Sequence, residues 1–238
     1  MSKIPVLEIF GPTIQGEGMC IGQKTMFIRT AGCDYQCSWC DSAFTWDGSG
    51  KNDIKLLDPI EIFNELKTLG GENFNYVTIS GGNPALLGSL SDLVDILKSN
   101  GYKLGIETQG SKWQDWLMRI DDITLSPKPP SSGMITDFEV FNDIVNRLRG
   151  KNISIKVVVF DDEDLEYARK IHLENMNIPL FLQVGNSDIE TTDDSKLIQD
   201  SLHNLRNLID KISVDKDFNN ARVLPQLHTL IWGNKRGV

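Results

Sequence analysis

The sequence has few cysteines, few histidines and no long apolar run, and each shortage excludes a class of protein. Four cysteines and three histidines occur among 238 residues, too few for the dense disulfide framework of a small secreted domain. No stretch approaches the ~18 consecutive apolar residues of a membrane-spanning helix. The opening MSKIPVLEIF has too short an apolar run for a signal peptide. We therefore expect a soluble, cytoplasmic protein.

Basic residues are also scarce. Lys and Arg number 24 against 33 Asp and Glu, which gives a formal net charge of −9. Proteins that bind nucleic acid through its phosphates need clustered Lys and Arg, so neither nucleic acid nor a membrane is an expected partner. With 40% hydrophobic residues the chain can bury a full core, and we expect one domain over residues 1–238.

Segments typical of strands and helices alternate along most of the chain. Predicted strands cover residues 6–10, 25–30, 76–80, 103–107, 123–126 and 153–160, followed by the segments PLFLQV and ARVL. Strands that are regularly followed by helices form a parallel sheet with right-handed crossovers. A closed eight-stranded barrel takes ~250 residues, and several connections here are too short or irregular for full helices. The pattern predicts an α/β fold, a partial, incomplete TIM-like barrel with irregular helices.

Three of the four cysteines, Cys33, Cys37 and Cys40, lie within eight residues in a C-x3-C-x2-C pattern. A structural zinc site usually has four ligands, in two cysteine pairs or with histidines, and no histidine is near. Three thiolates can instead hold a [4Fe–4S] cluster, for which thiolates are the usual ligands. One iron is then free to bind a small molecule. A zinc site and chance clustering are the alternatives.

Polar motifs containing Gly or Pro follow the predicted strands. The cysteine loop follows the strand at 25–30, and later strands are followed by SGGNP (80–84), ETQG (107–110), SPKP (126–129) and QVGN (183–186). Active-site loops of barrel folds lie at the carboxyl ends of the strands. We therefore expect these motifs to meet on one face. The glycines of SGGNP also allow a close backbone approach to a ligand.

The cysteine pattern resembles the signature of the radical S-adenosylmethionine (SAM) superfamily. The resemblance implies a [4Fe–4S] cluster held by Cys33, Cys37 and Cys40, with SAM bound to the open iron. Trp39 matches the aromatic residue that packs near the adenine. SGGNP is similar to the GGEP motif that holds the methionine ammonium group of SAM, although Asn83 stands where the superfamily usually has Glu.

A narrower resemblance covers nearly the whole chain. PTIQGEG, the strand containing Arg29, CDYQCSWCDS, SGGNP, IETQG, SPKPP and PQLHT occur in that order and together resemble the 7-carboxy-7-deazaguanine synthase family. The resemblance implies conversion of 6-carboxy-5,6,7,8-tetrahydropterin to 7-carboxy-7-deazaguanine with loss of ammonia, in queuosine or other deazapurine biosynthesis. It also implies Mg2+, a flavodoxin or ferredoxin as electron donor, and a homodimer.

The resemblance assigns roles to individual residues. It implies substrate binding by Ile14, Gln15, Gly16, Arg29 and Ser80. It implies SAM binding by Trp39, Gly82, Ser126, Pro127 and Lys128, and Glu107 lies at a strand end where a carboxylate can contact the ribose or the substrate. A guanidinium fork such as that of Arg29 suits a carboxylate. Ser42 stands where the family has Thr, and its hydroxyl is expected to ligate Mg2+. A capping serine is the alternative there.

No side chain is expected to be the catalytic group, because the 5′-deoxyadenosyl radical formed from SAM abstracts the hydrogen atom. Two other functional classes share part of the pattern. A glycyl-radical activase has the same cysteine spacing but acts on a protein. A zinc or iron–sulfur module without enzymatic activity would use the three cysteines together with Cys20.

Several polar residues receive no firm role. Lys156 lies in an otherwise apolar strand, so it must pair or extend into the barrel interior. Asn83, Gln183, Gln226 and His228 are weaker candidates for the site. Cys20 lacks the spacing of a ligand. The two remaining histidines are expected on polar helix surfaces, at His172 and His203.

Overall fold

Strands and helices alternate through most of residues 2–238, which the computed structural model describes. The strands are β1 (Ile4–Ile14), β2 (Lys24–Thr30), β3 (Lys55–Leu57), β4 (Tyr76–Gly81), β5 (Lys103–Thr108), β6 (Asp122–Leu125), β7 (Asn152–Val159), β8 (Leu180–Val184) and β9 (Arg222–Leu224). The α-helices are α1 (Pro59–Gly70), α2 (Leu90–Ser99), α3 (Phe138–Arg147), α4 (Asp162–Glu174), α5 (Asp194–Ser213) and α6 (Leu227–Trp232). Within these residues, no helix is both long and apolar enough to cross a membrane.

All nine strands belong to one sheet, in the order β3-β1-β2-β4-β5-β6-β7-β8-β9. In the run β2-β4-β5-β6-β7-β8-β9 each strand is parallel to the next. β1 is antiparallel to both β2 and β3. Because β3 and β9 are opposite edges of the sheet, the barrel does not close. The predicted partial barrel with parallel strands is confirmed.

The amino-terminal part of the sheet differs from the prediction. β1 extends to Ile14 because it pairs with β2 along most of its length, as far as Ile14 opposite Lys24. The residues PTI therefore belong to a strand that was predicted to cover only residues 6–10. β3 was not predicted, because Lys55 and Leu56 are exposed and its three residues show no buried pattern. Pairing with β1, which is a tertiary contact, makes this segment a strand.

Helix starts follow local capping rules where those rules apply. At α1 the Asp58 carboxylate accepts hydrogen bonds from the amides of Ile60 and Glu61, and the Glu61 carboxylate accepts one from the Asp58 amide. This reciprocal pair of hydrogen bonds is a capping box, and the local sequence DPIE is sufficient to form it. α2 begins at Leu90 rather than directly after β4, because Pro84–Leu86 forms a separate 3-10 turn.

The core lies between the sheet and the helices. It is built mainly of Ile, Leu and Val from both layers, with Trp116 and Phe141 as the largest fully buried aromatic side chains. Burying this apolar surface drives the layers together. One predicted surface residue belongs here: His172 is 3% exposed and stacks with Phe218. The expectation of a surface histidine was wrong, because the face of α4 that carries His172 packs against the 3-10 turn Lys216–Phe218, which precedes β9.

Candidate functional site

A cavity of about 270 Å³ lies at the carboxyl ends of the parallel strands. Its wall combines residues from the β1–β2 connection, the cysteine loop, and the loops after β4, β5 and β6. The predicted site residues in this wall are Ile14, Gln15, Gly16, Arg29, Cys33, Cys37, Trp39, Cys40, Ser42, Ser80, Gly82, Glu107 and Lys128. The expectation that the strand-end motifs meet on one face is therefore confirmed.

Two predicted residues of the SPKP motif lie outside this wall. The Ser126 hydroxyl is buried and accepts a hydrogen bond from Lys128 Nζ at 3.0 Å. Pro127 joins the two residues along the chain. Among Ser126, Pro127 and Lys128, only Lys128 lines the cavity. The hydrogen bond from the Lys128 ammonium group to Ser126 helps to position that group. The predicted contacts of Ser126 and Pro127 with SAM remain predictions.

The cysteine loop is fixed against the loop that follows β6. The backbone amide of Ser38 donates to the Ser132 carbonyl at 3.0 Å, and the Ser38 hydroxyl donates to the Ser131 carbonyl at 2.8 Å. The Trp39 indole N–H donates to the Ser131 hydroxyl at 3.0 Å, and its ring packs on Phe160 with centroids 5.2 Å apart. These contacts fix the conformation of the loop that carries the three cysteines.

Hydrogen-bond donors point at two of the three sulfur atoms. Cys33 Sγ accepts from the Tyr35 amide at 3.4 Å and from Gln109 Nε2 at 3.5 Å. Cys40 Sγ accepts from the Trp46 indole at 3.5 Å. All three cysteines are free thiols. Donors placed around cysteine sulfur suit a bound cluster, because thiolates accept hydrogen bonds strongly and such bonds tune the cluster's potential. The residues therefore fit the implied [4Fe–4S] group.

Burial favours the protonated form of two of these thiols, those of Cys37 and Cys40. It raises the pKa of Cys37 to about 11, and the nearby thiols oppose ionisation further. Burial also raises the pKa of Cys40, against the lowering effect of the Trp46 hydrogen bond. Metal ligation requires the thiolate form, so cluster binding must release protons here.

Arg29 faces the cavity from β2 and is held on two sides. Its Nε donates to Glu8 Oε1 at 2.6 Å, and its NH1 donates to the Ser42 hydroxyl at 3.1 Å. The Ser42 hydroxyl in turn donates to Asp41 Oδ1 at 2.9 Å. These contacts use two of the five N–H groups of a guanidinium. The remaining donors are available to a carboxylate in the cavity, and the residue predicted to bind Mg2+ lies beside them.

A buried cation lies deeper in the same cavity. Lys156 on β7 is 2% exposed, and its ammonium group pairs with Glu17 and, at 2.6 Å, with Glu107. Burial alone would favour neutral forms. Desolvation is outweighed by the attraction between these charges, so the pKa of Lys156 is raised and that of Glu17 is lowered well below its ordinary value. The site therefore contains a fixed, charged group of two carboxylates and one ammonium.

The carboxyl-terminal segment completes this group. Gln226 Nε2 donates to Glu17 Oε1 at 2.8 Å, and His228 Nε2 lies 3.8 Å from the same oxygen. The segment can approach because Gly16 has no side chain, and a Cβ there would lie 2.5 Å from His228 Nδ1. Gln226 and His228 therefore belong to the cavity wall. α6, which carries His228, was not predicted as a helix.

Two buried polar groups in or next to the cavity have no hydrogen-bond partner among the described residues; Arg119 Nε and His172 Nδ1, elsewhere in the fold, also have none. The two groups at the cavity are the Ser80 hydroxyl and the side-chain amide of Gln183. Ser80 lines the cavity, and Gln183 is paired in register with Val158, which also lines it. An unpaired buried polar group costs about 1–3 kcal/mol. A ligand with a polar edge could pair with the Ser80 hydroxyl, which is consistent with a binding function for the cavity.

Oxygen and nitrogen ligands for a cation also meet here. Glu17, Asp41 and His228 each offer one atom, and these atoms all lie within 4.8 Å of one another. Asp41 is the hydrogen-bond partner of Ser42. Carboxylate and hydroxyl oxygens suit Mg2+, which takes few protein ligands. The surroundings therefore fit the implied cation, and ligation by Ser42 remains a prediction.

Glu17, Gln109 and Trp46 also line the cavity, although no individual role was predicted for them; Glu17 and Gln109 lie within the motifs PTIQGEG and ETQG. A signal for Glu17 was available, since a lysine inside an apolar strand requires an acidic partner. Trp46 and Gln109 gave no such signal, because their contacts with the cysteines depend on loop conformation. Cys20 lies at the opposite end of the barrel, 3.2 Å from the hydroxyl of Tyr76, the first residue of β4. It is remote from the other three cysteines, as expected.

Residues 27–195 match the radical SAM superfamily. The whole chain is 65% identical over 238 residues to the 7-carboxy-7-deazaguanine synthase of Bacillus cereus, covering 100% of each chain. It is 59% identical to the enzyme of the same name from Bacillus subtilis, covering 99% of this chain and 98% of that one. The fold matches the crystal structure of QueE from Escherichia coli with a TM-score of 0.70, at 24% identity and 95% coverage of both chains.

Proposed function

Because the chain belongs to the 7-carboxy-7-deazaguanine synthase family of the radical SAM superfamily, we propose that it converts 6-carboxy-5,6,7,8-tetrahydropterin to 7-carboxy-7-deazaguanine, with loss of ammonia. One observation carries the proposal. Three free cysteines, the guanidinium of Arg29 and the charged group around Lys156 face a single cavity. A carboxylated heterocycle needs such a combination of a cationic end and polar interior partners.

Cys33, Cys37 and Cys40 hold the [4Fe–4S] cluster in this proposal. SAM lies against Trp39, Gly82 and Lys128, with Glu107, Ser126 and Pro127 nearby. When bound, the cluster and SAM supply the one-electron chemistry that removes a hydrogen atom from the substrate. The protein's own task is to place the substrate against SAM and to exclude water.

The substrate carboxylate binds Arg29, whose orientation Glu8 and Ser42 fix through hydrogen bonds. Ile14, Gln15 and Gly16 border the heterocycle, and the unpaired Ser80 hydroxyl donates to it. The fixed charges of Glu17 and Glu107 face its N–H groups. Ser42 ligates Mg2+ together with oxygens of the substrate and water. Each of these contacts uses a donor or acceptor that the cavity already presents.

We also propose a single-domain cytoplasmic enzyme that acts as a homodimer in queuosine or other deazapurine biosynthesis. The net charge of −9 supports a small-molecule substrate rather than a nucleic acid. The cluster requires a reductant, and a flavodoxin or ferredoxin is the expected class. Light scattering should give about twice the 26.7 kDa chain mass for the homodimer.

The test is an anaerobic incubation of the reconstituted protein with SAM, reductant, Mg2+ and 6-carboxytetrahydropterin. Mass spectrometry should detect both 7-carboxy-7-deazaguanine and 5′-deoxyadenosine. Cys37→Ala should abolish both products, whereas Cys20→Ala should retain both, because Cys20 lies at the other end of the barrel. Deoxyadenosine without the deazaguanine would preserve the radical SAM assignment and reject the substrate. Neither product from a protein with an intact cluster would reject the proposal as a whole.

A further inference from the structure

Asn83 occupies the position where the superfamily usually has an acid, and its side chain is fully buried. Its Nδ2 donates to Asp34 Oδ1 at 2.9 Å and to the Ser111 hydroxyl at 3.0 Å. Its Oδ1 accepts from the Thr108 hydroxyl at 2.8 Å and from the Ala85 amide at 3.2 Å. A side-chain amide has two N–H donors and one oxygen with two lone pairs. All of this capacity is used within the protein, so the Asn83 side chain has no free group for SAM.

Asp34, the main partner of Asn83, directly follows the first cysteine of the motif. Its Oδ1 also accepts from Gln109 Nε2 at 2.6 Å, and its Oδ2 accepts from the Ser111 hydroxyl at 2.6 Å. The same Gln109 amide lies 3.5 Å from Cys33 Sγ. Neutral amide and hydroxyl groups therefore surround this carboxylate. They connect the cysteine loop with the loops that follow β4 and β5.

The backbone at Asn83 is packed just as closely against the cysteine loop. The Asn83 amide donates to the Gly32 carbonyl at 2.8 Å. A Cβ on Gly82 would lie 2.2 Å from that carbonyl oxygen and 2.8 Å from Cys33 Cβ. The two loops thus touch along their backbones, and a displacement of the Asn83 side chain must be transmitted to Cys33.

We propose that Asn83 and Asp34 form an amide–carboxylate clamp that positions Cys33 for cluster binding. The clamp explains the missing acid: a carboxylate at position 83 would lie within hydrogen-bond distance of the Asp34 carboxylate, and like charges at that distance repel. The pair therefore accommodates one acid but not two. This inference rests on the proposed ligation of the cluster by Cys33, and it makes Asn83 a positioning residue rather than a SAM ligand.

The exchange of the two groups provides a direct test. Asn83→Asp keeps the size of the side chain but creates two facing carboxylates. Asp34→Asn leaves two amides, which can still hydrogen-bond to each other. The double variant Asp34→Asn/Asn83→Asp restores one acid and one amide with their positions exchanged, so the hydrogen bonds can reform.

The primary measurement is the rate at which an iron chelator removes the cluster from anaerobically reconstituted protein. Asn83→Asp should accelerate this loss about tenfold, equivalent to roughly 1.4 kcal/mol. Asp34→Asn should stay close to wild type, and the double variant should recover most of the loss. The cluster's midpoint potential, followed by EPR, should fall in Asn83→Asp and rise in Asp34→Asn, because net charge near a cluster shifts its potential. In the double variant it should return toward the wild-type value.

The chain contains a matched control at the other end of the barrel. Asn152 Nδ2 donates to Asp122 Oδ1, and these residues begin β7 and β6. Asn152→Asp thus also creates two facing carboxylates, at an exposed position far from the cysteines. It should lower the unfolding temperature and leave both cluster measurements unchanged.

Equal cluster loss in Asn83→Asp and Asn152→Asp would overturn the clamp, as would a double variant no better than Asn83→Asp. If Asn83→Asp does not fold, the double variant must still fold and hold the cluster like wild type. Its failure would then also overturn the inference. A wild-type protein that binds no cluster would instead count against the proposed function.

Discussion

The ion pairs of Lys156 show how burial changes the contribution of a Lys–Glu pair to stability. The Lys156 side chain is 2% exposed and lies between Glu17 and Glu107. The Lys3–Glu61 pair is of the same chemical kind, but its side chains are 54% and 49% exposed. Water screens the second pair almost completely, whereas the first depends on its partners for solvation.

Lys156→Gln should therefore destabilise the protein by about 3–5 kcal/mol, because it leaves two carboxylates that are only 16% and 27% exposed without a cation. Lys3→Gln is the matched control and should cost about 0–1 kcal/mol. Urea unfolding followed by circular dichroism measures both. Equal midpoints for the two variants would show that water reaches the Lys156 site.

Glu17 should also make stability depend on pH. The desolvation cost of burial raises its pKa, but the attraction of Lys156 and His228 and hydrogen bonds lower it more, so its pKa lies well below the ordinary value. Its stabilising effect is present above the unfolded-state pKa of about 4.3 and is lost as the pH falls below that value. Glu17→Gln should flatten the fall in unfolding free energy between about pH 5 and pH 3. An unchanged slope would contradict this.

Substitution of Ser42 tests whether its hydroxyl oxygen ligates Mg2+. Ser42→Ala should abolish the stimulation of turnover by Mg2+, because it removes the proposed protein ligand. Ser42→Thr retains the hydroxyl and should retain the stimulation. Initial rates at varied Mg2+ concentration measure the effect. If Ser42→Ala responds to Mg2+ like wild type, the hydroxyl only bridges Arg29 and Asp41.

At the scale of single elements, local sequence decided where α1 begins but not where α2 begins. α1 has a complete capping box at Asp58. Ser89, the N-cap of α2, makes no side-chain capping hydrogen bond. The 3-10 turn Pro84–Leu86, which precedes α2, is capped instead by Asn83, whose side-chain oxygen accepts a hydrogen bond from the Ala85 amide. That residue is oriented by contacts with other loops, which a local rule cannot include.

Asp58→Ala should consequently destabilise the protein by about 1 kcal/mol through the loss of two hydrogen bonds at the start of α1. Ser89→Ala occupies the same position in its helix and should change stability by no more than about 0.5 kcal/mol. Thermal unfolding of the two variants beside wild type makes the comparison. Similar losses would mean that the Asp58 cap contributes nothing beyond its side-chain volume.

For the whole molecule, the core and the cluster site occupy different parts of the structure. The main apolar cluster contains residues of the sheet and helices, and among the described residues it includes none of the three motif cysteines. The loops that carry the site rest on this core. The fold should therefore not require the cluster, in contrast to small zinc domains that unfold without metal.

A variant with alanine at positions 33, 37 and 40 should keep the far-UV circular dichroism of wild type and unfold cooperatively. Its unfolding free energy should lie within about 3 kcal/mol of the apo wild-type protein, about 1 kcal/mol for each substitution. Loss of cooperativity would show that the cysteine loop contributes to the core. Cys20→Ala serves as the single-site control.

Sequence patterns that involve residues close together in the chain were sufficient to predict the fold class and the location of the site. Alternating strands and helices predicted the open barrel, and the spacing of Cys33, Cys37 and Cys40 indicated a cluster. The motifs at the strand ends predicted where the cavity would lie, because parallel strands all end on the same edge of a sheet. Those features depend on neighbouring residues and on general rules of chain geometry.

Only the tertiary structure decided the remaining features, because each joins residues that are far apart in the chain. The pairing of Glu17 with Lys156 spans 139 positions, and β3 becomes a strand only through β1. Asn83 could be seen to depart from the superfamily pattern, but its partner Asp34 is 49 positions away. Hydrogen bonds and ion pairs act over a few ångströms of space, so such partners can be identified only once the chain is folded.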